Sequence, residues 1–152
     1  MKRRAMKALT VPGTLDALDA IAEYTIAAAE AANLDPDTSY NLRLAIDELV
    51  TNIIQHGYKT ADQTGTIRLQ AILSDRALIL TIEDKGVPYD PTQKSPPRDL
   101  HLPPEHRQMG GLGIYLAMKS VDRLIYERVG DRNRNIVMIE RPAGLNYDWS
   151  EG

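Results

Sequence analysis

The chain has 152 residues, a net charge of −3, 26% charged and 43% apolar residues, and no cysteine. That is the profile of one globular domain able to bury a core. It excludes disulfide scaffolds, Cys-ligated zinc and thiol nucleophiles, and it is not basic enough for a general nucleic-acid binder. No apolar run reaches the roughly 18 residues of a membrane span, and no leader pattern of charged start, apolar core and cleavage site is present. The expectation is a single domain in a reducing cytoplasm, binding neither membrane nor nucleic acid.

In chain order, residues 6–11 read as a short strand closed by Pro12 and Gly13. Thr14 is the expected N-cap of a helix running to about residue 32, with Leu15, Leu18, Ala22 and Ile26 at helical spacing. Asp35-Pro36, a carboxylate cap before a proline at the first helical position, starts a second helix. It is expected to run to about His56 and to stop at Gly57. Residues 65–73 and 77–83 predict a pair of strands, half-buried by their alternation and joined at Ser74-Asp75. Between Gly86 and Gly110 lie Pro88, Pro91, Pro96, Pro97, Pro103 and Pro104, six of the nine prolines, so a long functional loop is expected there. A helix at 111–119 and strands at 122–129 and 134–140, joined by a turn at 130–133, complete the order. Strands that cluster in runs point to an α+β fold: a two-layer sandwich with a mixed, mostly antiparallel sheet covered on one face by helices.

Three segments carry chemistry. On the second helix, at about 100° per residue, Glu48, Asn52 and His56 stack along the border of the face formed by Leu42, Ile46, Leu49, Val50 and Ile53. A carboxylate, an amide and an imidazole beside a core need partners, supplied either by neighbouring groups or by a metal-bearing ligand. Asp84-Lys85-Gly86 directly follows a strand. It reads either as ordinary turn chemistry or as a carboxylate placed for an exocyclic amine, the glycine admitting a ring close to the backbone. Gly110, Gly111, Leu112 and Gly113 open a helix, whose free N–H groups and partial positive charge suit phosphate. The alternative there is a hinge. Neither a P-loop nor a Rossmann fingerprint fits the pattern.

Taken in order, these segments resemble the boxes of the GHKL superfamily, with its Bergerat ATP-binding fold. Residues 44–58 resemble the N box, 82–91 the first glycine box including its Pro-aromatic-Asp-Pro ending, and 110–116 the second. Tyr89 stands where phenylalanine is common. Within the superfamily the chain is most similar to the anti-sigma-factor serine/threonine kinases of bacterial partner-switching systems, over roughly residues 6–141. The resemblance implies ATP and Mg²⁺ as cofactors and a lid at about 87–109; the polar stretch at 142–152 reads as a loose tail. It implies Glu48 as the general base and Asn52 as the metal ligand. Asp84 would take the adenine amine with Gly86 beneath the ring, and Gly110, Gly111, Leu112 and Gly113 would wrap the phosphates. Lys85, Arg98 or Arg107 would add positive charge at the γ-phosphate. The implied partners are a small antagonist protein and a sigma factor or similar regulator, with the chain a homodimer. The competing reading is an ATP-dependent protein-binding module without turnover. The catalytic half of a two-component histidine kinase is disfavoured, because His56, His101 and His106 leave no room for a phospho-accepting helix pair.

Overall fold

The computed structural model describes residues 3–59, 64–93 and 112–141. The elements are β1 (Arg3–Ala5), β2 (Leu9–Pro12), α1 (Leu18–Ala31), α2 (Pro36–Asn52), β3 (Thr66–Ser74), β4 (Ala77–Asp84), α3 (Leu112–Ser120), β5 (Arg123–Val129) and β6 (Arg132–Glu140). Six strands make one sheet in the order β1-β3-β4-β6-β5, with β2 beside β1 on the same edge of β3. Every pairing among the described strands is antiparallel. The expected two-layer α+β sandwich is therefore what forms. Most of the expected lid and all of the expected tail lie outside the described residues.

The first strand differs from expectation in an informative way. It is broken in two: Ala5 pairs with Ile72, but Leu9 pairs with Leu69, so residues 6–8 face only Gln70 and Ala71. That is a one-residue bulge, and a one-residue slip exchanges the two faces of a strand. The bulge turns Leu9 and Val11 to the same side as Leu69 and Ile67, the side that the helices cover.

Alternation does the rest. Ile67, Leu69, Ala71 and Leu73 on β3, Leu78, Leu80 and Ile82 on β4, and Val137 and Ile139 on β6 are buried in one core cluster. They meet Ile21, Ala28 and Ala29 of α1 and Leu42, Ile46, Leu49 and Val50 of α2. α2 lies between α1 and α3 and packs on both.

The helix ends follow local chemistry. The Asp35 carboxylate accepts hydrogen bonds from the Thr38 N–H and hydroxyl, each 2.8 Å, and Pro36 opens α2 as expected. Thr14 does not cap α1 through its side chain; a 3₁₀ turn at Leu15–Ala17 intervenes, closed by the Ala17 N–H on the Thr14 carbonyl. α1 ends with Asn33 in the left-handed region (φ 54°), the Asn33 N–H bonded to Glu30 O and the Leu34 N–H to Ala29 O. That paired motif satisfies the last carbonyls of the helix. The β5–β6 turn is two residues, not four: Val129 pairs with Arg132, and Gly130 takes a φ of 62°.

Gly57 does not stop the second helix. The chain leaves α2 at Asn52 and continues as a π-helical segment, Ile53–Lys59. Its wider turn carries Tyr58 into the end of the sheet. The Tyr58 hydroxyl donates to Thr66 O at 2.8 Å and accepts from the Lys85 N–H at 2.9 Å. The ring lies against Gly13 and Gly65, where a Cβ on either would come within 2.7 Å of it. One side chain thus ties the helix to the end of β2, the start of β3 and the end of β4. Tyr58→Phe keeps the ring but strips a partner from each of two backbone groups. It is expected to lower the unfolding free energy by about 1–3 kcal/mol in a denaturant titration.

Candidate functional site

Asp84 is the last residue of β4 and is 3% exposed. Its Oδ1 accepts from the Gly86 N–H and from Asn133 Nδ2, each at 2.9 Å. Its Oδ2 is buried and has no hydrogen-bond partner among the described residues. Burial raises the carboxyl above its usual range, opposed by the Asn133 hydrogen bond, the Gly86 N–H and the charge of Arg128. A buried acceptor left open costs free energy that a ligand N–H can recover.

Gly86 also has a packing reason to be glycine. A Cβ on it would lie 2.6 Å from the Gly57 carbonyl oxygen. The close approach is made by the end of the second helix, and the Val87 N–H donates to that same Gly57 oxygen at 3.3 Å. The Asp84 turn and the helix end are in direct contact: a Cβ on Gly57 would sit 3.8 Å from Asp84 Oδ1, an ordinary distance.

The expected row along the helix is only partly kept. Glu48 is exposed on α2, and Asn52 is half-buried at its last residue. The π-helical turn begins at the next residue and breaks the four-residue register. His56 leaves the row and stacks on Tyr89, ring centroids 5.6 Å apart at 15°. That stack joins the helix to the Pro-Tyr-Asp-Pro stretch after the turn. Leu112 and Gly113 are the first two residues of α3, which packs on α2. Gly110 and Gly111 lie outside the described residues, as do Arg98 and Arg107. Lys85 extends to the β5–β6 hairpin, with Nζ 4.0 Å from Asp131.

Several residues of the site are not legible as such in the sequence. Asn133, read there as part of a turn, is a β6 residue directly across from Asp84 and 2% exposed. Tyr126 donates its hydroxyl to Asn133 Oδ1, and Arg128 Nη1 donates to Gly86 O at 2.9 Å. Asn135, two residues on and on the same face, is 2% exposed, and its Oδ1 is buried without a partner among the described residues. The available signal was two asparagines at inward positions of a strand otherwise filled with Val137 and Ile139.

No cluster of three or more metal-ligating His, Cys, Asp or Glu side chains occurs among the described residues. A caged metal does not fit this donor set. A Mg²⁺ ion carried largely by a ligand's own phosphates and waters does fit, since it needs only one or two protein oxygens. Asn52 has such an oxygen, and Asp84 Oδ2, without a partner among the described residues, is an acceptor of the kind that a base bearing an amine would need.

A sandwich with one helical layer, a carboxylate at the end of a central strand and a helix running to meet it defines a nucleotide-binding domain of a known class. The family model of the histidine kinase-like ATPase domain matches residues 11–140, and the chain belongs to that family. The GHKL resemblance read from the three motifs is borne out. The serine-protein kinase RsbW of Bacillus thuringiensis (strain Al Hakam) is 35% identical over 89 residues, covering 57% of this chain and 54% of that protein. RsbW of Bacillus anthracis gives the same identity and coverage. The match thus spans about half the length of these relatives. Among solved structures, the histidine kinase domain of the Erythrobacter litoralis EL346 blue-light activated histidine kinase shares the fold. Its TM-score is 0.52 at 21% identity, over 80% of this chain and 58% of that one. No helix among the described residues is long and apolar enough to cross a membrane.

A carboxyl whose folded-state pKa is raised contributes stability below its unfolded-state pKa and loses it as pH rises through the folded value. Asp84→Asn keeps the shape and removes the charge. In ligand-free protein it is expected to raise the thermal midpoint at neutral pH, by roughly 2–4 °C for each kcal/mol recovered. It should also flatten the decline in stability above the acid range, as scanning calorimetry across pH will read.

Proposed function

We propose that this chain is an ATP-dependent serine/threonine protein kinase of the anti-sigma type. It phosphorylates a small antagonist protein and, when free of it, sequesters a sigma factor or similar regulator in the cytoplasm. The observation that carries the reading is the half-satisfied Asp84 carboxylate, held beside the end of the helix that bears Glu48 and Asn52. The 35% identity with serine-protein kinases supports the choice of acceptor.

In this reading Asp84 Oδ2 accepts the exocyclic amine of adenine. Gly110, Gly111, Leu112 and Gly113 offer backbone N–H groups to the phosphates where α3 begins. Asn52 would hold Mg²⁺, which when bound neutralises the charge that builds on the transferring phosphoryl group. Glu48, exposed and so open to a partner's side chain, takes the proton of the attacking serine hydroxyl. The serine oxygen bonds to the γ-phosphorus, the bond to the β–γ bridging oxygen breaks, and ADP leaves. Positioning and charge neutralisation are most of what phosphoryl transfer asks of a protein.

The sheet face away from the helices supports a homodimer. Ile72, Ile79, Ile125, Ile136 and Met138 lie on it, all only half-buried.

Incubation with ATP, Mg²⁺ and the cognate antagonist is expected to yield phosphoserine, read by mass spectrometry, and EDTA is expected to abolish it. Glu48→Gln should slow transfer by about 10²-fold or more while ATP affinity stays within about twofold. Tight ATP binding with no phosphoserine in the unsubstituted protein would turn the assignment to an ATP-dependent binding module without turnover.

A further inference from the structure

Asn133 is tied on every polar edge. Its Nδ2 donates to Asp84 Oδ1 and to Val87 O, each at 2.9 Å, with Gly86 O at 3.4 Å. Its Oδ1 accepts from the Tyr126 hydroxyl, which fixes the direction of the amide. Asp84 Oδ1 thereby holds two donors, one from its own turn and one from across the sheet. A carboxylate so held cannot turn about its Cβ–Cγ bond, so the open Oδ2 keeps one direction.

We propose that Asn133 is a positioning residue for base recognition: it acts through Asp84, aiming Oδ2 at the exocyclic amine of the bound base without itself touching the nucleotide. The inference rests on the nucleotide reading above. The choice of residue suits the task. A neutral amide occupies Oδ1 without competing for Oδ2, whereas a lysine or arginine in its place would reach for both oxygens. Asn133 also opposes protonation of the buried carboxyl. A proton on Oδ2 would turn the acceptor into a donor facing an N–H. The same amide nails down Val87 O, so the turn and the carboxylate are set by one side chain from β6.

The test compares ATP with purine riboside triphosphate, which has hydrogen where adenine has its amine, by calorimetry on the full chain with Mg²⁺. The unsubstituted protein is expected to prefer ATP by about tenfold or more, the worth of a hydrogen bond to a charged acceptor. Asn133→Ala is expected to lose most of that preference while binding the amine-free analogue within about threefold of the unsubstituted protein. Tyr126→Phe, which frees the amide to rotate, should fall between. An unchanged ATP preference in Asn133→Ala overturns the proposal, even if both affinities drop, because mere structural damage weakens both ligands alike. Should Asn133→Ala fail to fold, the ratio measured for Tyr126→Phe decides in the same way. If the unsubstituted protein binds both triphosphates equally, Asp84 reads no amine and the inference falls while nucleotide binding stands. If it binds neither, the nucleotide reading falls first.

Discussion

The contact between the end of the second helix and the turn after β4 is the constraint on which the rest of the molecule turns. Gly57 and Gly86 approach so closely that a single methyl group on Gly86 would meet the opposite carbonyl at 2.6 Å. That approach brings the Val87 N–H within reach of the Gly57 oxygen and lets Tyr58 take the Lys85 N–H. Gly57 and Gly86 meet there backbone to backbone. At the same place the chain leaves regular α-helical geometry and follows the wider turn of a π-helical segment.

The same junction explains why a carboxylate can sit buried at the end of a central strand. Two groups satisfy one Asp84 oxygen, the turn N–H of Gly86 and the amide of Asn133, while Arg128 donates to the Gly86 carbonyl beside it. None of them satisfies the other. A fold selected for stability alone would fill both or replace the carboxylate with an apolar side chain. In the nucleotide reading proposed above, the half-satisfied state is a cost carried by the ligand-free protein that a donor on the ligand would relieve. On that reading, binding energy and folding energy are set against each other at this one residue.

Much of the architecture was legible along the chain. The Asp35-Pro36 start, the alternation in β3 and β4, and the α3 helix all form within a residue or two of expectation, because each rests on local chemistry that tertiary contacts do not override. The motif order identified the family for a related reason: a carboxylate, a glycine and an amide-bearing helix are distinctive residue types at fixed chain positions. The misreadings share a different cause. The bulge at residues 6–8 depends on which face of β3 the helices cover. The π-helical turn falls where the chain meets Gly86, a residue 29 positions away from Gly57. The two-residue hairpin puts Asn133 in β6 opposite Asp84, a register set by pairing across the sheet.

By itself the sequence determined the element order, the core-facing positions of helices and central strands, and the candidates Glu48, Asn52 and Asp84. Periodicity, capping and charge are properties of neighbouring residues and are written in their order. Only the tertiary structure decided that Gly86 serves a backbone contact with Gly57, that His56 stacks on Tyr89, and that Asn133 holds the carboxylate in place. Each of those pairs joins residues 29 to 49 positions apart in the chain. A pairing across such a distance is chosen by strand register and helix packing, and no local pattern encodes it.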